Sequence, residues 1–219
     1  MAAIEDPAAF ILRETKIKPV PHAEEIRLHL PDEAMALWQK TEEQLGEIGL
    51  APPFWAFAWA GGQGLARYIL DTPELVRGKK VLDFACGSGL VGIAAMMAGA
   101  ACCHSVDIDP FALAATKLNA ALNSVSLTHE TTDITASSLP DADVLFCGDV
   151  FYDQRMATKV LAMLERAVQE EMLVFIGDPG RSYLPEERLE ELATYVVPVT
   201  GALEDNEIKR TQVFRFQAA

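Results

Sequence analysis

Residues 80–110 read KVLDFACGSGLVGIAAMMAGAACCHSVDIDP, and their types and spacing suit the binding of a nucleoside. An apolar run ends at Asp83, the turn Gly87-Ser88-Gly89 follows, and a second apolar run ends in Asp107-Ile108-Asp109. Glycines let a backbone pass close to a ligand, and a carboxylate closing the next strand accepts both hydroxyls of a ribose. Gly87 to Gly92 satisfies G-x-G-x-x-G, and Asp107 lies twenty residues after Gly87, so a dinucleotide is one candidate occupant. Asp83 argues against it. A pyrophosphate rests on the helix N-terminus, and a carboxylate four residues before the first glycine repels it. Such a carboxylate suits a ligand that carries positive charge.

S-adenosylmethionine has a sulfonium, an ammonium and no phosphate. The pattern D-x-x-x-G-x-G with an acid closing the next strand resembles the class I methyltransferases that use this cofactor. Asp83, Gly87, Ser88, Gly89, Asp107 and Ile108 are the candidate cofactor residues on these two strand ends. Asp109 competes with Asp107 for the ribose, but Pro110 behind it favours a helix cap. Asp133-Ile134 follows a third short strand. Asp133 is placed to accept from the adenine amine, or it makes an ordinary Asx-turn.

Asp149-Val150-Phe151-Tyr152 follows the fourth strand. Enzymes that methylate planar amides or base amines carry Asn-Pro-Pro-Tyr or a relative there, and no such element occurs. A carboxylate beside an aromatic suits a cation flanked by a π-face, hence a lysine ammonium. Asp149 and Tyr152 are therefore the candidate catalytic pair. The competing reading makes Asp149 a helix cap and Tyr152 packing.

The elements that must position these residues alternate in α/β style from residue 79. Strands are expected at Lys80–Phe84, Cys102–Asp107, 127–131, 142–148 and 172–177. Helices are expected at 90–98, Pro110–Leu122 and 154–170, with another at 186–193. Segments 195–200 and 211–216 are strand-like and suited to a closing hairpin. Upstream, 1–18 reads as a helix or arm broken by Pro19 and Pro21, 25–30 as an edge strand, and 31–46 as an amphipathic helix. Residues 49–64 have no clean periodicity, and a helix opens at Leu65. No linker splits the chain, so 1–219 is expected to be one domain, with 1–75 as an N-terminal extension and tryptophan-rich loop.

Composition narrows the function. The net charge is −14, and no basic cluster exceeds Lys79-Lys80 and Lys209-Arg210, which argues against nucleic-acid binding. The same charge is compatible with simple solubility or with a basic partner. No apolar run reaches membrane-spanning length. The N-terminal residues lack the basic-then-apolar pattern of a secretory signal, so the expected location is cytoplasmic. The four cysteines, Cys86, Cys102, Cys103 and Cys147, form no C-x-x-C pair and are expected to be buried free thiols, with no metal site.

Residues 52–63 read PPFWAFAWAGGQ. They resemble the P-[FY]-W-A-x-x-W-x-G-G-Q signature of the electron transfer flavoprotein β-subunit lysine methyltransferases, a family within a wider seven-strand group with D-x-x-Y after strand four. Asp149 to Tyr152 matches that element, and residues 176–181, IGDPGR, resemble the segment after strand five. The similarity runs from about residue 26 to the C-terminus. Ala60 departs from it, since proline is common there. The resemblance implies a Rossmann-like doubly wound sheet of seven strands, mostly parallel, with a C-terminal antiparallel hairpin. It also implies S-adenosylmethionine as cofactor, a loop at Trp59 over that cofactor, and action on a lysine of the electron transfer flavoprotein β subunit; separately, a monomer is expected. Methylation of a ribosomal protein, or cofactor binding without turnover, are the alternatives.

Overall fold

The computed structural model describes residues 6–32, 38, 52–199 and 208–217. Helix α1 (Pro7–Glu14) is capped by Asp6, whose side chain accepts from the Ala8 N–H. It leads into β1 (Lys16–Val20) and β2 (Ala23–Leu30), an antiparallel pair that forms its own two-stranded sheet. Pro19 does not break the segment. It lies within β1 opposite Arg27, and the register shifts beside it, between Pro19 and Val20. A two-stranded ribbon leaves one edge of each strand unpaired, and that is where proline is tolerated. The helix expected over residues 31–46 lies outside the described residues, apart from residues 31 and 32 and the helical Trp38.

The main sheet follows α2 (Ala60–Asp71) and comprises β3 (Lys80–Phe84), β4 (Cys102–Asp107), β5 (Thr128–Thr131), β6 (Val144–Gly148), β7 (Leu173–Asp178), β8 (Leu189–Pro198) and β9 (Ile208–Phe216). Its order is β5-β4-β3-β6-β7-β9-β8. The first five strands are mutually parallel, while β9 runs antiparallel between β7 and β8. Crossovers run through α3 (Leu90–Met97), α4 (Pro110–Leu122) and α5 (Gln154–Gln169). Alternation splits the apolar residues between two faces. Val81 and Phe146 pack with Leu65, Ile69 and Ile93 on one side. Leu82 and Leu145 pack with Val160, Met163 and Leu164 on the other.

Three further features depart from the sequence reading. The first is α2, which begins at Ala60 rather than Leu65, so the Gly-Gly-Gln-Gly run is helical. Those glycines let the helix touch the sheet: a Cβ on Gly61 would lie 2.1 Å from the Gly177 carbonyl oxygen, and one on Gly177 2.2 Å from the Gly61 oxygen. The second is the helix expected at 186–193, which is a single 3-10 turn, Glu186–Arg188, followed by β8. Leu189 and Leu192 have helical spacing, but β8 bulges between Glu191 and Ala193, and the inserted residue interrupts the strand alternation. The third is Cys102, which is exposed, while Cys86, Cys103 and Cys147 are buried. Among the described residues no helix is long and apolar enough to cross a membrane.

The helix–sheet contact makes a testable distinction. Gly61→Ala should destabilise the fold by about 1–3 kcal/mol, because the added carbon meets backbone that cannot yield. Gly62→Ala meets only a Leu90 methyl at 3.7 Å and should be neutral or gain up to about 1 kcal/mol of helix propensity. Urea denaturation of the two variants checks this, and equal stabilities would contradict the close-contact role.

Candidate functional site

Strand order reverses between β3 and β6, the place where open parallel sheets bind ligands beyond their carboxyl ends. A cavity of about 630 Å³ lies there. Gly87, Asp107, Asp133 and Asp149 all line it, so four separate strand ends deliver their polar residues to one place.

On the β3–β4 side, Gly87 has φ 52 and its N–H donates to Asp107 Oδ2 at 3.0 Å. Asp107 Oδ1 accepts from the Asp109 N–H at 3.0 Å. A carboxylate has about four acceptor positions, so both oxygens keep capacity for ribose hydroxyls. Burial raises the Asp107 carboxyl above the ordinary range, against the backbone hydrogen bonds that lower it. Asp109 caps α4 by accepting from Phe111 N–H at 2.8 Å, the cap role the sequence offered for it, and it lines the cavity beside Asp107. Ile108 is 69% exposed and lines the cavity.

Asp83, Ser88, Gly89 and Ile134 do not line the cavity. Asp83 is buried and accepts from the Gly92 N–H at 3.0 Å, tying the end of β3 to the first turn of α3. Burial pushes its carboxyl up to about 7, with Asp107 adding to the rise and the Gly92 bond opposing it. Ser88 is buried, and its carbonyl accepts from Asn119. Gly89 sits at φ 79 as the residue before α3, where a Cβ would come within 2.9 Å of Thr116. Ile134 belongs to the apolar cluster under α5. Both readings of Asp133 keep support. Oδ1 accepts from the Thr135 N–H and hydroxyl, an Asx-turn that lowers its pKa, while the residue still lines the cavity with Oδ2 3.6 Å from Lys159 Nζ.

At the β6 end, Asp149 is buried and has φ 56, a left-handed conformation unusual for a residue with a Cβ. It does not cap α5, a task done by Asp153, which accepts from the Met156 N–H at 2.9 Å. Asp149 Oδ2 instead accepts from the Gly62 N–H in the first turn of α2 at 3.0 Å. Its Oδ1 accepts from the Arg181 guanidinium at 3.0 Å. Tyr152 is 46% exposed and lines the cavity beside Phe54, with ring centroids 5.6 Å apart. Phe54 also meets Trp59 at 6.0 Å and Trp38 at 5.6 Å, which makes an aromatic wall. The Trp59 indole N–H donates to the Phe54 carbonyl at 2.8 Å. Trp55 and Phe57 are core residues, as their apolar neighbours Phe10 and Phe111 show for Trp55.

Sequence reasoning missed Arg181, Phe54 and Trp38 as site residues. Arg181 lies in the IGDPGR segment, whose Asp178 accepts from the Gly180 and Arg181 N–H groups at 2.7 and 2.6 Å. Asp178 is fully buried, burial pushes its carboxyl up to about 6, and its second oxygen has no hydrogen-bond partner. The Arg181 guanidinium lies 5.8 Å from the centre of the Trp59 ring. The signal for it was the cation itself, three residues past the end of β7.

Comparison with known proteins finds methyltransferases. A family model described as ribosomal protein L11 methyltransferase (PrmA) matches residues 67–167. An electron transfer flavoprotein beta subunit lysine methyltransferase from Xenopus laevis is 35% identical over 217 residues, spanning 96% of this chain and 87% of that protein. The Danio rerio protein of the same name is 38% identical over 170 residues, 75% of this chain and 66% of that one. The magnesium protoporphyrin IX methyltransferase of Synechocystis PCC 6803, solved with bound S-adenosylhomocysteine, superposes with a TM-score of 0.50 at 14% identity, covering 71% of this chain and 81% of that one.

Two outcomes test the site. Asp107→Ala should weaken S-adenosylmethionine binding tens-fold, since losing a charged hydrogen-bond partner costs about 1.5–3 kcal/mol; unchanged affinity in calorimetry would reject the ribose assignment. Asp83 has a folded pKa raised to about 7. Its stabilising contribution is therefore complete below the unfolded carboxyl value and is lost as pH rises through about 7. Asp83→Asn should accordingly gain Tm relative to wild type more at about pH 8 than at about pH 5. A pH-independent difference would contradict the buried-acid reading.

Proposed function

The chain belongs to the electron transfer flavoprotein beta subunit lysine methyltransferase family and uses S-adenosylmethionine, and on that premise we propose that it methylates a lysine of the electron transfer flavoprotein β subunit. The observation that carries the proposal is the pairing of a buried carboxylate, Asp149, with an aromatic wall of Tyr152, Phe54 and Trp59 at the mouth of the cavity. An extended ammonium-bearing side chain fits such a channel: its stem packs on aromatic faces and its head meets acceptor oxygens. An amide or a base would lack the donor–acceptor pair it needs there.

The residues fit the cofactor as well. Gly87 offers close backbone approach, Asp107 keeps acceptor capacity for the ribose, Ile108 offers an apolar face to the base, and Asp133 stands where the third strand ends. Asp83, Ser88, Gly89 and Ile134 support that wall from behind. Trp59 is held in place by its hydrogen bond to Phe54 and closes the side nearest Asp149. When bound, S-adenosylmethionine supplies an electrophilic methyl on a cationic sulfur. That methyl would go to a neutral lysine amine held by Asp149 and Tyr152, and the cofactor would leave as a neutral thioether. The chain's own work is to orient the amine. The PrmA match gives a second reading, methylation of a ribosomal protein on the same core.

Incubation of the enzyme with cofactor and each purified substrate, followed by peptide mass spectrometry, separates the readings. The expected result is methyl-lysine on the flavoprotein β subunit and none on ribosomal protein L11. The reverse pattern would overturn the proposal. Asp149→Asn should lower kcat by orders of magnitude while calorimetry shows intact cofactor affinity, because a group that positions the acceptor acts mainly in the transition state. Near-full activity in that variant would remove Asp149 from the acceptor site.

A further inference from the structure

An acidic acceptor site has an electrostatic difficulty. Methyl transfer needs a neutral amine, yet a lone carboxylate beside a lysine stabilises the ammonium and raises its pKa. Lysine is already protonated up to about pH 10.4. Asp149 by itself would bind the acceptor in its unreactive form.

The structure places a compensating charge on that carboxylate. Arg181 Nη2 donates to Asp149 Oδ1 at 3.0 Å, and Arg181 lines the same cavity as Asp149 and Tyr152. The guanidinium stays charged at all working pH values. The residue is held at three points. Asp149 takes the Nη2 hydrogen, the Trp59 ring faces it at 5.8 Å, and Asp178 fixes the backbone N–H of the same residue at 2.6 Å. The side chain is mostly buried, 21% exposed, so its field is only partly screened by water.

Resting on the lysine-methyltransferase reading, we propose that Arg181 is a positioning residue for the acceptor: its guanidinium offsets the Asp149 carboxylate and so helps the entering lysine ammonium shed its proton. The proton passes to solvent water at the open mouth before transfer, and the amine then attacks as a neutral nucleophile. Other charged groups face the same space. Asp178 stands behind Arg181. The carboxylates of Asp107 and Asp109 lie across the cavity at the ribose side. Asp133 and Lys159 pair at its far end, while Asp153 and Arg155 flank Tyr152 at the start of α5. Arg181 alone among these cations touches Asp149 in a described ion pair.

The test is the pH dependence of kcat at saturating protein substrate, which reports the enzyme–substrate complex. Arg181→Gln removes the guanidinium charge from Asp149, so the ascending limb should move to higher pH by about one unit or more. Arg181→Lys keeps the charge, and its limb should stay near wild type even where kcat falls through lost stacking on Trp59. Calorimetry should show cofactor affinity unchanged in both. A limb that stays in place in Arg181→Gln while kcat drops at every pH would overturn the proposal and make the residue merely structural. Equal limb positions for the Gln and Lys variants would overturn it too. So would a tenfold loss of cofactor affinity in both, which would assign Arg181 to the cofactor carboxylate. Absence of lysine methylation by the unsubstituted enzyme is a separate result, and it would overturn the function itself.

Discussion

The site depends on one carboxylate. Asp149 leaves the end of β6 in a left-handed conformation and connects three elements that are distant in sequence. Through Oδ2 it holds the first turn of α2, and through Oδ1 it holds the turn after β7. The contact requires α2 to lie almost on the backbone of β6 and β7, which only glycine permits at Gly61 and Gly177, while a Cβ on Gly148 would crowd the Gly62 N at 3.1 Å. A Cβ on Gly61 would also stand 2.6 Å from Asp149 Oδ2. Because α2 is drawn in this far, Trp59 at its N-terminus reaches the cavity. The aromatic wall follows from that placement.

Acidity at the site is distributed by burial. Asp83, Asp109 and Asp178 all have carboxyls pushed up, to about 7, 6 and 6, because each is withdrawn from water. Among the described ion pairs Arg181 bonds directly to the Asp149 carboxylate, and its charge also acts on Asp178. The arrangement suits a cationic cofactor and a cationic acceptor that must lose its charge before reaction. Desolvated acids near the cofactor side are stabilised by an arriving positive charge. On the proposed reading, the acceptor side at Asp149 carries its own cation, Arg181, and gains less from one.

Much of this was legible in the residues. The βαβ unit is what Asp83, the glycine turn and Asp107 imply, with β3, β4 and α4 at the expected boundaries. The family signature around Trp59 and the D-x-x-Y element point to the enzyme class. What stayed hidden depends on tertiary contact. Gly61 and Gly62 look like a loop until a sheet is laid against them. Pro19 looks like a breaker until β1 is seen to have a free edge. Leu189 and Leu192 look helical until the bulge beside Ala193 explains their spacing. The Asp83 carboxylate reads as a ligand contact, yet its partner is the Gly92 N–H. No local pattern could join Arg181 to Asp149, since the pair is made across the sheet edge.

A crystal structure with S-adenosylhomocysteine and a lysine-containing substrate peptide tests the central claim most directly, namely that Asp149, drawn together with α2 and Arg181, builds the acceptor end of a cofactor cleft. The account predicts the ribose on Asp107, the sulfur facing the β6 end, and the lysine nitrogen between that sulfur and Asp149 along the Tyr152 ring, with the Arg181 ion pair intact. A lysine nitrogen entering from another side of the cleft, with Asp149 remote from the sulfur, would contradict it.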